Sequence, residues 1–371
     1  MQENGSKKRI QEIDILKGIA IILVVIGHTR VPGNSFIYLF HMAVFFIASG
    51  YFYSEKSSET LQSVLRFTKK KVITLWVPFS VGISVLTLLN NLFIRVGVLT
   101  NNTEIYQYVA VPYASVHSIL SLSDILKNIL KTVAFSGNAQ LAGTFWFFKT
   151  LFLVSVLYCV IDFCLKHFCR LEEKKRLTVQ AGMSAIFLVV GYMAVMQRSG
   201  LGGMTRVLIV YCLYCGGNFF RKLQRISLNT AGVIAVVGVI ILIFCNRIGT
   251  IALDKLEIVN PIFYLWCSFA GMCFLYGMSR YIDNYLPKIG GGLSYIGKHS
   301  MAIMIGHFLS FKLVSYGIVA WKRLPLFCAA AFPVLTDAGL WWLIYGTVGV
   351  VVPLLVQKGW RNLISIFGDS D

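Results

Sequence analysis

Two ionisable residues stand at the two ends of one apolar segment. Lys17 and His28 are separated by ten residues, all of them aliphatic or glycine. In a helix, which rises about 1.5 Å per residue, this spacing separates the two side chains by roughly 16 Å, about half the thickness of a hydrocarbon core. A lysine ammonium can bind an anionic group, and a neutral imidazole can accept a proton near physiological pH. The segment therefore predicts one helix with an anion-binding group at its start and a base near its end.

Three further ionisable residues are expected at a similar depth, in the outer half of the membrane: His41, Lys149 and His307. His41 follows His28 across a short Pro-Gly-Asn turn, so the two imidazoles can be neighbours. The string Ile-Gly-His ends at both His28 and His307. One interpretation is that the four side chains converge on one cavity. The alternative is that each histidine hydrogen-bonds a neighbouring carbonyl and that Lys149 extends its ammonium to the outer interface.

The elements that must position these residues are membrane helices. Hydrophobic residues make up 57% of the 371 residues, charged residues make up 13%, and the mean hydropathy is +0.71. This composition leaves too little polar surface for a soluble globular protein. It predicts an all-α, polytopic integral membrane protein. Apolar windows of about 20 residues predict ten transmembrane helices, near 13–30, 36–53, 72–94, 145–165, 178–197, 204–220, 229–246, 260–279, 294–314 and 338–357.

The basic residues predict the orientation of the chain. With both termini on the cytoplasmic side, the cytoplasmic segments hold the larger share of the 34 Lys and Arg residues, as the positive-inside rule requires. The formal charge of +18 then reflects topology and contact with anionic lipids, and it argues against nucleic acid as a partner. We expect a single transmembrane domain over 1–371, with short cytoplasmic tails at about 1–12 and 358–371 and no appended soluble domain.

The cysteines do not indicate a metal or redox site. Most of the nine fall within predicted helices, where a thiol behaves as a small apolar group. Cys212 and Cys215 have C-x-x-C spacing, but their segment is hydrophobic and offers no nearby His or carboxylate ligand. We therefore expect no metal.

The longest hydrophilic stretch, 95–144, is expected to be a structured outer loop. Its length exceeds that of an ordinary connection, so it could cover the outer mouth of a site. Alternatively, it is an ordinary extracytoplasmic loop with an interfacial helix around 123–135. Lys312, near the outer end of the ninth predicted helix, is expected to extend its ammonium outward.

The second predicted helix contains a motif of small and aromatic residues, Phe45-Phe46-x-x-Ser49-Gly50. Two small neighbours permit either a close helix crossing or the passage of a narrow ligand. On the first helix, Asp14 is expected to pair with Lys17 at i, i+3 spacing.

These motifs together resemble the acyltransferase 3 family of integral membrane acyltransferases. The resemblance covers nearly the whole chain and rests on the elements Asp14-x-x-Lys17-Gly18, Gly27-His28, Phe45-Phe46-x-x-Ser49-Gly50, a segment with Trp146, and Tyr295-Ile-Gly297-Lys298-His299-Ser300 followed by His307. Lys17 stands where many members have arginine, which keeps the charge but loses the bidentate geometry.

The resemblance implies an enzyme of the bacterial cytoplasmic (inner) membrane that moves an acyl group, usually acetyl, from cytoplasmic acyl-CoA to a hydroxyl of a cell-surface or lipid-linked carbohydrate. It is closest to the stand-alone members that O-acetylate polysaccharides or oligosaccharides. His28 would be the base or would orient the acyl group, while His41, Lys149 and His307 would orient it or stabilise the oxyanion. The arm of acetyl-CoA would pass beside Ser49 and Gly50. Its phosphates would meet cytoplasmic basic residues such as Lys17, Arg66, Lys69, Lys70 and Lys71.

Two other functions agree with parts of the sequence. A transporter that exports a glycolipid or a small anion would also place polar residues at membrane depth, but the two halves show no convincing pair of Gly- or Pro-interrupted helices. A relative that binds acyl-CoA without catalysis is a third possibility. The presence of both Lys17 and His28 argues against it.

Overall fold

The protein is described by a computed structural model over residues 3–110, 112–197, 203–222 and 226–368. Its first nine α-helices are α1 (Glu3–Gly27), α2 (Asn34–Tyr38), α3 (His41–Tyr51), α4 (Leu61–Lys71), α5 (Val77–Leu88), α6 (Asn90–Arg95), α7 (Ile105–Tyr108), α8 (Leu122–Val133) and α9 (Trp146–His167). The others are α10 (Glu173–Met196), α11 (Met204–Lys222), α12 (Leu228–Ile248), α13 (Pro261–Tyr285), α14 (Pro287–Lys298), α15 (Ser300–Lys322) and α16 (Trp341–Gly368). Between α12 and α13, strand β1 (Ile251–Ala252) pairs antiparallel with β2 (Glu257–Ile258), with Ile251 opposite Ile258.

The helices confirm the predicted class. Within the described ranges, eight helical segments are long and apolar enough to cross a membrane: Asn34–Tyr51, Leu61–Leu88, Trp146–His167, Glu173–Met196, Leu228–Ile248, Pro261–Tyr285, Ser300–Lys322 and Trp341–Asn362. The other two predicted spans coincide with α1 and α11. The chain is therefore an all-α, multi-pass membrane protein.

Two predicted spans start much later than the observed helices. Helix α1 begins at Glu3 rather than near residue 13, because its polar first turns continue the helix of the apolar segment. The third span begins at Leu61 rather than near residue 72, because α4 continues into α5 through a π-helical segment, Val72–Trp76. Both differences come from polar helical turns, which a hydropathy window does not detect.

The chain divides into two compact units. The first comprises Met1–Ala20, Ser35–Pro78 and Trp146–Lys298, and the second comprises Ile21–Asn34, Phe79–Phe145 and His299–Asp371.

In the first unit, α3 and α11 cross at close range because each presents a glycine to the other. A methyl group on Gly50 would collide with the backbone carbonyl of Tyr214, and one on Gly217 would collide with that of Ile47. Small residues at a crossing let two helix backbones approach, which is a common way to hold membrane helices together. Of the two interpretations of the Ser-Gly pair, close helix packing thus accounts for Gly50.

In the second unit, the stretch 95–144 is an ordered loop. The Asn91 side chain exchanges two hydrogen bonds of 2.8 Å with the backbone of Leu120, and the His117 N–H donates to the Thr100 carbonyl over 2.7 Å. Helix α8 lies where the interfacial helix was expected.

The expectation that Lys312 extends outward is wrong. Its side chain is buried, with 1% of the residue exposed, and its ammonium donates to three successive backbone carbonyls, those of Ala329, Ala330 and Ala331, at 3.3, 2.9 and 2.7 Å. These carbonyls end the 3₁₀ helix Leu326–Ala330, and the last carbonyls of a helix attract a cation because they lack donors within the helix. Lys312 therefore holds this loop inside the second unit.

Candidate functional site

A basic cavity of about 440 Å³ lies in the first unit. It is lined by the end of α3, the turn that follows, one face of the helical segment that begins with α4, and Tyr214 of α11. Four lining side chains are cationic: Lys56, Arg66, Lys70 and Lys71. The rings of Phe52 and Phe67 and several hydroxyls complete the lining, and none of the described lining residues is acidic. We call this feature the basic cavity.

Helix α4 aligns most of these cations. Its first turn is capped by the Thr60 hydroxyl, which accepts the Ser63 N–H over 3.1 Å. Arg66 and Lys70 are four residues apart and share one face of the helix. The Lys71 ammonium lies 5.2 Å from the centre of the Phe67 ring, within cation–π range.

The basic cavity contains some of the predicted donor-binding residues and omits others. Arg66, Lys70, Lys71 and Ser49 line it. Lys69 is exposed and is not among the lining residues, because it lies on another face of α4. Lys56 lines the cavity although sequence reasoning missed it. Its position depends on the turn after α3, for which the sequence has no strong signal.

Lys17 lies close to one wall residue of the basic cavity. Its ammonium is 5.5 Å from the centre of the Phe52 ring. The same ammonium forms an ion pair of 2.7 Å with Asp14, one turn earlier on α1, as the spacing predicts. Lys17 thus presents a partly neutralised cation beside the cavity. Gly50, another predicted donor-binding residue outside the lining, lies in the contact with α11.

Behind the cavity wall, a single carboxylate gathers four side chains. Asp162, on α9, is 4% exposed. It accepts hydrogen bonds from the Tyr53 hydroxyl at 3.0 Å, the Ser58 hydroxyl at 2.5 Å, the Arg176 Nε at 3.0 Å and the Gln180 amide at 3.1 Å. A buried carboxylate with a paired arginine and further donors is satisfied without water.

The Asp162 network orders the wall of the basic cavity, because Tyr53 lines the cavity and Ser58 ends the same turn. Burial and the neighbouring Asp162 carboxylate raise the pKa of the Tyr53 phenol far above its ordinary value, so Tyr53 remains a donor. This network was not predicted from the sequence. A signal existed, since an acidic residue in an apolar span calls for a partner, but its partners come from separate segments.

In the second unit, two of the predicted catalytic residues lie together. The rings of His28, which follows α1, and His307, on α15, are stacked with 5.4 Å between their centres and 19° between their planes. The ring of Phe308 lies 4.8 Å from His28 and 4.2 Å from His307. His307 is fully buried, and His28 is partly exposed. We call these two residues the histidine pair.

The hydrogen bond of His307 defines which ring nitrogen carries the hydrogen. Its Nδ1 lies 2.9 Å from the carbonyl oxygen of Ile303. A carbonyl only accepts, so Nδ1 donates, and in the neutral ring Nε2 then holds a lone pair. Among the described residues, Nε2 is buried and has no hydrogen-bond partner. Such a nitrogen is costly to leave unpaired, which makes it a candidate contact for a polar group of a substrate.

Aromatic and polar contacts hold the neighbourhood of the histidine pair. The Phe308 ring packs 4.8 Å from that of Phe332, and the Thr144 hydroxyl donates to the Met304 carbonyl on α15 over 2.9 Å. The guanidinium of Arg30 lies 4.0 Å from the Tyr113 ring centre, and the Tyr113 hydroxyl donates to Asp337. Burial and this hydrogen bond raise the pKa of Tyr113.

The other two predicted catalytic residues belong to the first unit. His41 is 4% exposed, its Nδ1 donates to the Ile37 carbonyl over 2.8 Å, and its ring lies 4.9 Å from that of Tyr38. This geometry matches the structural alternative for a histidine in a membrane helix.

Lys149 lies near a second basic residue of the first unit. A methyl group added to Gly203 would be 2.8 Å from its ammonium, and the positive charge of Arg206 acts on it. The Arg206 guanidinium lies 4.8 Å from the Trp146 ring centre and donates to the carbonyls of Leu253 and Asp254. The catalytic roles of His41 and Lys149 stay predictions.

Within the part of the chain that the structure describes, no three His, Cys, Asp or Glu side chains are grouped to hold a metal ion. The thiols of Cys212 and Cys215 are unbridged and buried. The absence of a resident metal stays a prediction.

The fold and these sites define the class of the protein: a multi-pass helical membrane protein with a basic cavity in one unit and a stacked histidine pair in the other. The family model of the acyltransferase 3 group, described as an acyltransferase domain, matches residues 10–358. The chain therefore belongs to this family and is a membrane acyltransferase. Neither the curated proteins nor the solved structures include a significant match to the chain.

Proposed function

We propose that the protein transfers an acyl group, in the simplest case acetyl, from cytoplasmic acyl-CoA to a hydroxyl of a cell-surface or lipid-linked carbohydrate. In this proposal the basic cavity binds the phosphates of the donor and His28 removes the proton of the acceptor hydroxyl. The enzyme would reside in the bacterial inner membrane. Membership of the acyltransferase family supports the reaction class, and the histidine pair is the observation that supports this mechanism most directly.

The charge of the basic cavity supports the donor assignment. Coenzyme A carries several phosphate charges at one end and a thioester at the other. Four cations without an opposing acid in the described lining form a site for phosphate, and charge-assisted hydrogen bonds are about twice as strong as neutral ones. Lys17 would add a further positive charge near the Phe52 wall. The cavity residues come from a segment that the positive-inside rule assigns to the cytoplasmic side.

The chemical step needs one base and balances without a cofactor other than the donor. His28 accepts the hydroxyl proton, and the hydroxyl oxygen attacks the thioester carbonyl carbon. The tetrahedral intermediate then breaks its C–S bond and forms the ester. The departing thiolate takes the proton from the His28 imidazolium, so the products are the acylated carbohydrate and free coenzyme A.

The geometry of His307 supports an auxiliary role in this step. Its ring is stacked on that of His28, where a neutral aromatic ring stabilises the imidazolium that forms during proton transfer. Its Nε2 lone pair offers an acceptor for a neighbouring hydroxyl of the acceptor carbohydrate. His41 and Lys149 keep their proposed roles of orienting the acyl group or stabilising the oxyanion.

The proposal is tested by transfer of radiolabelled acetyl from acetyl-CoA to membrane glycans. Membranes with the wild type, His28→Ala or the control His167→Ala are compared at matched protein levels, since His167 is exposed and lies outside both sites. We expect label with the wild type and with His167→Ala, and a loss of about 10²- to 10⁴-fold with His28→Ala, the usual contribution of a general base. Full activity of His28→Ala would refute its role. No labelled glycan with a folded wild type would refute carbohydrate acylation and favour export.

A further inference from the structure

Helix α8 in the second unit has three distinct faces. It begins with a reciprocal cap, in which the Ser121 hydroxyl accepts the Asp124 N–H and the Asp124 carboxylate accepts the Ser121 N–H. One face packs inward through Asn128 and Thr132. A second face is charged, with Lys127 and Lys131. The third is a stripe of exposed apolar side chains, 53% to 73% accessible: Leu122, Leu126, Leu130 and Val133. We call this the leucine stripe.

The inward face attaches α8 to the end of a membrane-spanning helix. The Asn128 amide donates to the Thr87 hydroxyl on α5 over 2.7 Å and to the Asn138 carbonyl over 3.0 Å. The Asn128 side-chain oxygen accepts the Asn138 N–H over 3.2 Å. Thr87 is buried and is one residue from the end of the spanning segment Leu61–Leu88. Helix α8 is therefore attached where this segment leaves the membrane.

The spanning segment also carries exposed apolar residues as far as this attachment. Val81, Val85 and Leu88 are 45% to 58% exposed and are spaced by four and three residues, so they share one face. In a membrane protein such a face contacts lipid tails. The end of this span and the helix attached to it thus both expose apolar surface. Both surfaces require an apolar neighbour, such as lipid tails.

We propose that α8 is an interfacial helix whose leucine stripe inserts into the phospholipid leaflet on the predicted outer side. An amphipathic helix lies in this way when apolar residues fill one face and Lys or Arg flank it, and here Lys127 and Lys131 lie beside the stripe, where they can reach lipid phosphates. A contact with a second copy of the chain or with another protein would cover the stripe equally well, but the attachment to a membrane exit favours lipid.

The segment that follows α8 connects this helix to the surroundings of the histidine pair. The chain leaving α8 continues to Thr144, which is bonded to α15, and to Gly143, where an added methyl group would be 3.1 Å from the Phe308 ring. Phe308 contacts both histidines. Lipid contact at α8 therefore anchors the segment that closes one side of the histidine pair.

Matched spin labels on neighbouring faces test the proposal. The full-length protein in phospholipid nanodiscs carries a nitroxide at Leu126→Cys or at Lys127→Cys, in a background where the cysteines that are not buried, Cys164, Cys169 and Cys273, are replaced by alanine. Collision rates are measured with oxygen, which concentrates in lipid, and with a water-soluble nickel chelate. Leu130→Cys and Lys131→Cys form a second pair, used if either member of the first fails to elute as a folded protein.

We expect the label at 126 to collide several-fold more with oxygen and several-fold less with nickel than the label at 127. Equal access of nickel to both positions would overturn the proposal, because the stripe would then face water. Low collision with both reagents at 126 would also overturn it, because protein would then cover the stripe. The test measures no acyl transfer, so its result is independent of the proposed function.

Discussion

The basic cavity and the histidine pair are built in opposite ways. The cavity is assembled mostly from nearby parts of the sequence, the turn after α3 and one face of α4, with Tyr214 added from α11, and it has four cations that can replace one another in part. The histidine pair joins residues from the two ends of the chain among aromatic rings. Single substitutions in the basic cavity should therefore lower activity gradually, because the remaining cations still bind the donor. A single substitution in the histidine pair should abolish most of the activity, because no other residue can replace the lost imidazole.

The first test of this contrast removes the Asp162 carboxylate, whose hydrogen bonds order the wall of the basic cavity. Asp162→Asn would leave the buried Arg176 with only the longer ion pair to Glu55, at 3.5 Å, and loss of one partner of a buried ion pair costs up to about 3–5 kcal/mol. We expect a loss of unfolding free energy of that size in titration with sodium dodecyl sulfate, and a higher KM for acyl-CoA in the folded fraction. Adding Arg176→Gln should restore part of the stability. Unchanged stability of Asp162→Asn would show that the network carries little of the fold.

The second test removes the nitrogens of His307 while keeping a ring in its place. His307→Phe keeps a stacking partner for His28 but removes both Nε2 and the Nδ1 bond to Ile303. If Nε2 orients the acceptor through a neighbouring hydroxyl, kcat should fall by about 10²-fold with little change in the donor KM. Steady-state kinetics of the purified enzyme measure both. A kcat equal to that of the wild type would assign His307 a packing role only.

The third test compares neighbouring cations on α4. Arg66 and Lys69 are both exposed, but Arg66 lines the cavity and Lys69 does not. A hydrogen bond to a charged group contributes about 1.5–3 kcal/mol, so Arg66→Ala should raise the donor KM roughly 10- to 100-fold, and less if Lys70 compensates. Lys69→Ala should change it far less. An equal effect of the two variants would mean that overall charge, rather than the cavity, attracts the donor.

The fourth test distinguishes helix packing from donor binding at the neighbouring residues Ser49 and Gly50. Gly50→Ala would push a methyl group onto the Tyr214 carbonyl, and such overpacking costs about 1–3 kcal/mol. Ser49→Ala removes a lining hydroxyl without a steric conflict. We expect the first variant to lower stability and the second to raise the donor KM modestly, by detergent unfolding and kinetics respectively. The opposite pattern would make Gly50 the ligand contact.

Much of the fold could be predicted because lipid imposes a simple rule. Long apolar segments must be helices, so eight of the predicted spans appear among the segments able to cross the membrane. The Asp14–Lys17 pair followed from helix periodicity. The proximity of His28 and His307 was indicated by the shared Ile-Gly-His string and a similar depth.

The remaining features depend on contacts that no local pattern encodes. The four partners of Asp162 come from two other segments of the chain, the turn after α3 and helix α10, and Lys56 reaches the cavity through the same turn. Lys312 has the sequence pattern of a lysine at a helix end, yet a later loop folds back to offer it three carbonyls. Depth along one helix can be read from sequence, whereas the neighbours at that depth depend on tertiary packing.

The most direct test of the account is a kinetic comparison of His28→Ala with Arg66→Ala, in which kcat and the donor KM are measured for acetyl transfer to glycan by purified enzyme in nanodiscs. The account predicts that His28→Ala lowers kcat by about 10²- to 10⁴-fold at nearly constant KM, as loss of a base does, and that Arg66→Ala raises KM at nearly constant kcat. If His28→Ala kept its kcat, or if both variants changed only KM, the assignment of proton transfer to the histidine pair would be contradicted.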